Sequence, residues 1–144
     1  MLYLDTSALV KYYIKEPHSV AVRKLLDSET FVGTGLLCKA EVAATLAKAT
    51  RMHYLTPGQA QETWTAFAAD WETFIRLTPT EDLLDQAAHL ALAHGLRGYD
   101  AVHLASALVW QRECGHTVTF ATFDRQLWEV SKAVRMTIWP AERP

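Results

Sequence analysis

The stretch that most constrains the fold is Met1-Leu2-Tyr3-Leu4-Asp5-Thr6-Ser7, where an apolar run stops on a carboxylate and passes straight into Ala8-Leu9-Val10. It reads as a buried strand turning directly into a helix. In an open α/β sheet, ligands bind just beyond the carboxyl ends of the strands, so Asp5 stands where a functional carboxylate would be placed. Asp5, Thr6 and Ser7 also have a simpler use, because short oxygen side chains satisfy the free N–H groups at a helix start. Partners elsewhere in the chain must decide between the two.

The same alternation runs through the sequence. Helix is expected from Ser7 to about Ile14, stopping before Glu16-Pro17 because proline disfavours helix at the residue preceding it. It resumes near Ser19, with Val20, Val22, Leu25 and Leu26 as an apolar face, and Thr30-Phe31-Val32-Gly33 reads as a second strand closed by glycine. The alanine-rich segment from Leu36 to about Met52 has strong helix propensity. Thr56-Pro57-Gly58-Gln59 opens the next helix with a cap, a first-position proline and Gln in capping-box register. That helix is expected to reach Phe74, and its stripe of Trp64, Phe67, Trp71 and Phe74 is read as a core or dimer face. Ile75-Arg76-Leu77-Thr78 is a third strand candidate, followed by a helix capped by Thr80, running to about Ala93 and ended by Gly95. A nearly all-apolar helix spans Tyr99 to Glu113 with Gly115 as its stop. Thr117 to Thr122 is the clearest strand, Asp124 starts a helix to about Lys132, and Met136 to Trp139 is the last strand. Strands alternating with helices or helix pairs predict one α/β domain, residues 1–144, with three α/β/α layers and a mainly parallel central sheet.

Composition permits this and narrows little else. Half the residues are hydrophobic and the formal net charge is −2, which argues against a generally basic nucleic-acid binder. A local basic patch beside an acidic site stays open. Neither a membrane-length apolar run nor a basic segment followed by an apolar core is visible, so a cytoplasmic protein without membrane attachment is expected. Cys38 and Cys114 have no CxxC partner and fit reduced thiols.

Four acids stand apart from the solvated remainder. Asp5 ends the first strand, and Asp124 follows the last long strand in Thr122-Phe123-Asp124. Asp100 heads the apolar helix, and Glu41 sits inside an otherwise apolar one. Asp100 and Asp124 each have a helix-cap reading, and Glu41 has a solvent-facing one. Taken together, one fold can converge all four. Four carboxylates in one pocket would raise each other's pKa unless a cation neutralised them. An all-oxygen donor set suits Mg²⁺ or Mn²⁺. No histidine or cysteine cluster competes, since His89 and His94 lack the i, i+4 spacing of a helical zinc pair. His103, three residues after Asp100, would orient a carboxylate or pack in the core. An acid-lined pocket without a phosphate-binding glycine loop points to metal-assisted phosphodiester hydrolysis, with Thr6, Ser7 and Thr122 as helpers of the acids. Lys11, Lys15, Lys39, Lys48, Arg97 and Arg125 are candidate phosphate contacts.

These residues resemble the PIN-domain ribonucleases, and among them the VapC-type toxins of bacterial toxin–antitoxin pairs. The likeness is carried by Leu4-Asp5-Thr6-Ser7, Ala40-Glu41-Val42, Asp100-Ala101-Val102-His103-Leu104-Ala105-Ser106-Ala107 and Ala121-Thr122-Phe123-Asp124, in order along the chain. It implies a PIN-like fold and a Mg²⁺/Mn²⁺ site made of Asp5, Glu41, Asp100 and Asp124. It also implies an RNA substrate, a homodimer and a VapB-like antitoxin whose tail would cover the site. The segment before Glu41, Gly35-Leu36-Leu37-Cys38-Lys39, is more apolar than the family's pattern. Two other functions fit the same residues: an RNA-processing nuclease without antitoxin, and a weakly catalytic module acting through its partner in transcriptional autoregulation. An aspartyl phosphatase fits less well, because Ser7 stands where its second Asp would be.

Overall fold

A computed structural model describes all residues from Met1 to Pro144. Five short strands are β1 (Leu2–Leu4), β2 (Val32–Gly35), β3 (Ile75–Leu77), β4 (Thr119–Ala121) and β5 (Thr137–Trp139). Seven helices connect them: α1 (Thr6–Tyr13), α2 (Ser19–Asp27), α3 (Cys38–Arg51), α4 (Pro57–Asp70), α5 (Glu81–His94), α6 (Gly98–Cys114) and α7 (Arg125–Ala133). Every strand pair is parallel, and the order across the sheet is β3-β2-β1-β4-β5. The chain lays β2 and β3 on one side of β1, then returns to lay β4 and β5 on the other. That reversal places a crevice at the carboxyl end of β1, where open α/β sheets hold their ligands.

Leu2, Tyr3 and Leu4 are all fully buried, as expected of a central parallel strand covered on both faces. The strand's two-residue period sends Leu2 and Leu4 into a core with Leu9, Val42, Leu46, Phe67 and Trp71. Tyr3 points the other way, into a core with Leu104, Trp110, Phe120 and Leu127. The sheet therefore separates α1, α3 and α4 from α5, α6 and α7. Helix α6 is buried along most of its length, with alanines at 101, 105 and 107 among its buried residues. It packs most extensively on α5. No helix is long and apolar enough to cross a membrane.

The three-layer parallel architecture expected from the sequence is the one observed. Several boundaries differ, for identifiable reasons. Strand β2 runs Val32–Gly35, not Thr30–Gly33, because Gly33 does not stop it. A Cβ on Gly33 would lie 2.8 Å from the Trp110 ring, so this glycine lets α6 approach the sheet. The Thr117–Thr122 run contributes only Thr119–Ala121, its last residue having turned to serve the site. The fourth helix ends at Asp70 and tightens into a 3-10 turn, Trp71–Thr73, before β3. The aromatic stripe is core: Phe67, Trp71 and Phe74 are buried, with Trp64 packed against them. The capping box at Thr56 and Gln59 forms with both hydrogen bonds. Gly95 and Gly115 end their helices at positive φ, as glycine does at a helix terminus.

Candidate active site

Asp5 caps α1 and also lines the candidate site. Its Oδ1 accepts the Ala8 amide at 2.8 Å, starting α1. Ser7 Oγ donates to its two oxygens at 2.8 and 2.9 Å, and Thr122 Oγ1 donates to Oδ2 at 2.6 Å. Ser7 Oγ also accepts the Phe123 amide at 2.7 Å, which ties the end of β1 to the end of β4. Thr122 is buried and in turn accepts the Asp124 amide at 3.1 Å. Burial raises the pKa of Asp5, while the His103 ring and these hydrogen bonds oppose the shift. The capping alternatives for Thr6 and Ser7 are not used: Thr6 is the first residue of α1, and the cap is Asp5.

Glu41 lies in the first turn of α3, just past β2. Its Oε2 accepts Thr6 Oγ1 at 2.5 Å and the Nε2 of His103 at 2.7 Å. Burial alone would raise its pKa, but the hydrogen bonds from His103 and Thr6 outweigh it and hold the carboxyl below its ordinary value. The expectation that four clustered acids would all shift upward therefore fails at Glu41, whose donors favour the ionised form. Its side chain is 24% exposed, so it borders the cavity without being a surface residue.

Asp100 is not a cap. Helix α6 begins at Gly98 with Arg97 at the cap position, which places Asp100 within the first turn. Its Oδ2 is buried and has no hydrogen-bond partner. Its pKa is pushed up to about 6, first by burial and then by the charges of Asp124 and Asp5, against the pull of Arg97 and His103. Asp124 caps α7, its Oδ1 accepting the Leu127 amide at 2.8 Å.

All four acids line one cavity of about 1100 Å³, together with Thr6, Ser7, His103, Lys11 and Arg97. Lys15 and Lys48 also border it. Lys11 pairs with Glu16 at 3.1 Å and lies over the Phe123 ring. Lys39 and Arg125 are not brought to this cavity: Lys39 lies over Trp71, and Arg125 donates to the Pro144 carbonyl at 2.8 Å. The carboxylates share the cavity without closing on a point, and no three His, Cys, Asp or Glu side chains stand close enough to hold one ion as they are. The donor chemistry nonetheless fits a hard divalent cation. The donors are oxygens only, and Asp100 keeps a buried acceptor with nothing to accept.

One contributor carries no signal in the sequence. Tyr3 reads as an ordinary strand residue, yet its hydroxyl lies 2.9 Å from Nδ1 of His103, one residue away from Glu41 through the ring. A phenol on a strand whose other residues are purely apolar is the only hint. Cys38 lies beside Thr6, and burial pushes its thiol up to about 12, so it stays protonated.

The PIN domain family model matches residues 2–133. Ribonuclease VapC45 of Mycobacterium tuberculosis (strain CDC 1551 / Oshkosh) is 37% identical, over 99% of this chain and 96% of its own length. Among solved structures, M. tuberculosis VapC20, a sarcin-ricin loop cleaving toxin, superposes with a TM-score of 0.67 at 19% identity, covering 100% of both chains. VapBC2 from Rickettsia felis, bound to a DNA fragment from its promoter, gives a TM-score of 0.65 at 14% identity over 96% of this chain and 97% of the other. The chain belongs to the PIN domain family, and within it to the VapC ribonucleases.

Proposed function

We propose that this chain is a Mg²⁺- or Mn²⁺-dependent endoribonuclease acting as the toxin of a VapBC-type pair. The observation that carries the reading is the unpartnered, buried Oδ2 of Asp100, a carboxyl raised in pKa first by burial and then by the neighbouring Asp124 and Asp5. A protein tolerates such an oxygen where something other than the chain completes it. Asp5, Glu41, Asp100 and Asp124, which line the one cavity, would hold the cation. When bound, it would polarise the scissile phosphoryl group and lower the pKa of an attacking water.

The chain's own residues prepare the site. Ser7 and Thr122 occupy the inner lone pairs of Asp5 and fix its orientation, so that the carboxylate does not rotate when charge arrives. Thr6 and His103 hold Glu41 ionised. Arg97, Lys15 and Lys48 on the cavity wall would contact substrate phosphates, and Lys11 joins them if Glu16 yields. Similarity to Ribonuclease VapC45 supports RNA as substrate, and similarity to VapBC2 and to a toxin–antitoxin complex from Klebsiella pneumoniae supports a VapB-like antitoxin as partner; a homodimeric toxin is part of the same proposal.

Cleavage of a structured RNA by wild type, Asp5→Asn and Asp100→Asn, with Mn²⁺ or with EDTA, tests the reading. Wild type cleaves internally with Mn²⁺ only, and both variants lose cleavage. Metal-independent cleavage, or full activity in both variants, refutes it. Co-expression with the product of an adjacent reading frame should yield a stable, inactive complex.

A further inference from the structure

We infer that Tyr54 is a base-stacking residue for a single RNA strand: at the end of the cavity away from the acids it holds a nucleobase that flanks the scissile bond, with Lys48 on a phosphate between. The inference rests on the ribonuclease reading of the acidic site and names a subsite of that same cavity.

The cavity extends well beyond the four carboxylates. From Glu41 it follows one stripe of α3, through Thr45, Lys48 and Met52, and reaches Tyr54 on the turn before α4. At 1.5 Å of rise per residue, Met52 lies about 16 Å along the helix from Glu41. A hard cation reaches its oxygens at about 2.1 Å, so most of this length serves something longer than an ion. A strand whose phosphate lies at the acids must continue past them, and this groove is continuous with them.

Tyr54 is displayed, not packed. Its side chain is 74% exposed, whereas Tyr13, Trp64 and Trp71 all pack on Phe67. The turn that carries it is tied down. The Tyr54 and Leu55 amides both donate to the Ala49 carbonyl, at 2.9 and 3.3 Å, and the His53 amide donates to the Thr50 carbonyl at 3.0 Å. His53 reverses the chain at a φ of 59°, in the left-handed region. Leu55 then packs against the core and leaves its neighbour turned outward. A tyrosine ring has two side-chain torsions, so it gives up little conformational freedom when a base settles on it.

Charge along the groove favours a polyanion. Lys11 and Glu16 neutralise each other. That leaves Lys15 and Lys48, neither of them in a salt bridge, against Glu62. Aromatic rings beside basic groups are how single strands are held, because every base has a π-face and every phosphate a charge. A duplex hides its π-faces, so this surface selects unpaired RNA.

Asp100→Asn, which leaves Tyr54 and Lys48 in place, serves as the parent chain for binding, read by anisotropy of a fluorescein-labelled single-stranded oligouridylate. Tyr54 is exposed, so its variants fold. Tyr54→Ala in this parent should weaken binding roughly tenfold, within the range that one stacked base contributes, and leave the salt dependence unchanged. Tyr54→Trp should bind as the parent does. Lys48→Ala should lower the slope of log affinity against log salt by about 0.7. Duplex RNA should not distinguish Tyr54→Ala from its parent. The oligomer carrying 5-iodouridine should photocrosslink to Tyr54, located by mass spectrometry. In otherwise wild-type protein, Tyr54→Ala should raise the KM of RNA cleavage by a similar factor.

Unchanged single-strand affinity in Tyr54→Ala, an equal loss with duplex, or a crosslink only elsewhere overturns the inference. So does a Tyr54→Ala chain that binds RNA normally but no longer holds the product of the adjacent reading frame, which assigns the groove to a protein. If the oligomer binds and crosslinks as stated but wild type cleaves no RNA with any divalent metal, the proposed function falls and the subsite stands. If wild type cleaves and Tyr54 has no effect, only the subsite falls.

Discussion

Asp100→Asn should make the metal-free protein more stable at neutral pH. The folded chain holds this carboxyl at a pKa of about 6, against 3.8 for an unperturbed one. The folded state therefore binds a proton more tightly than the unfolded chain, and Asp100 opposes folding increasingly as pH rises from 3.8 to about 6, and in full above that. Two pKa units correspond to about 3 kcal/mol. Asp100 is only half-buried, so solvent screening reduces the effective cost to about 1–2 kcal/mol. In a chain of this size that is a melting temperature higher by roughly 3–8 °C. The asparagine keeps the shape and loses the charge that Asp124 and Asp5 repel. Calorimetric melting in EDTA at pH 7.5 and at pH 4 is the assay. The variant's advantage should be full at pH 7.5 and fall to a small fraction by pH 4, where Asp100 of the folded wild type is protonated. Mn²⁺ at pH 7.5 should reverse the order by stabilising wild type alone. No gain at pH 7.5, or the same gain at both pH values, would refute the claim that charge repulsion and burial at Asp100 set its pKa.

Two further substitutions probe the scaffold. Gly33→Ala places a Cβ 2.8 Å from the Trp110 ring and should cost about 1–3 kcal/mol in urea unfolding, with cleavage per folded molecule retained. Asp124→Ala should be less stable than Asp124→Asn by about 1 kcal/mol, because both lose the charge while only asparagine keeps an oxygen for the Leu127 amide.

The fold was legible because each β-rich run is short, apolar and followed at once by a helical period. The three-layer parallel sheet follows from that alternation alone. Boundaries slipped where a residue's neighbours in space override its usual meaning. Gly33 looks like a strand end and is instead a contact with Trp110. Trp71 continues an aromatic stripe yet lies in a 3-10 turn. The acids were legible as acids in apolar surroundings, and His103 as a neighbour of one of them. Tyr3 was not, because its role depends on a partner 100 residues away that no local pattern announces. The basic residues were the least legible: position in the sequence does not distinguish Arg97, at the cavity, from Lys39, over Trp71.

Asp5 and Asp124 pose a choice between capping a helix and serving a site, and the geometry is compatible with both at once. Each accepts at Oδ1 an amide of the helix that follows, from Ala8 or Leu127. A cap uses one oxygen, and a carboxylate has two. Because both helices start at the carboxyl edge of the sheet, anchoring the cap also aims the side chain at the crevice where β1 and β4 end. Asp100, inside α6 and not at its cap, has no such anchor, and it is the one with a buried oxygen left without a partner. The capped pair supplies a fixed wall, and Asp100 supplies the buried acceptor that, under the proposed function, a cation would complete. Sequence-level competition between a structural and a functional reading is therefore weak evidence against function wherever the residue has two acceptors and the helix begins at a strand's end.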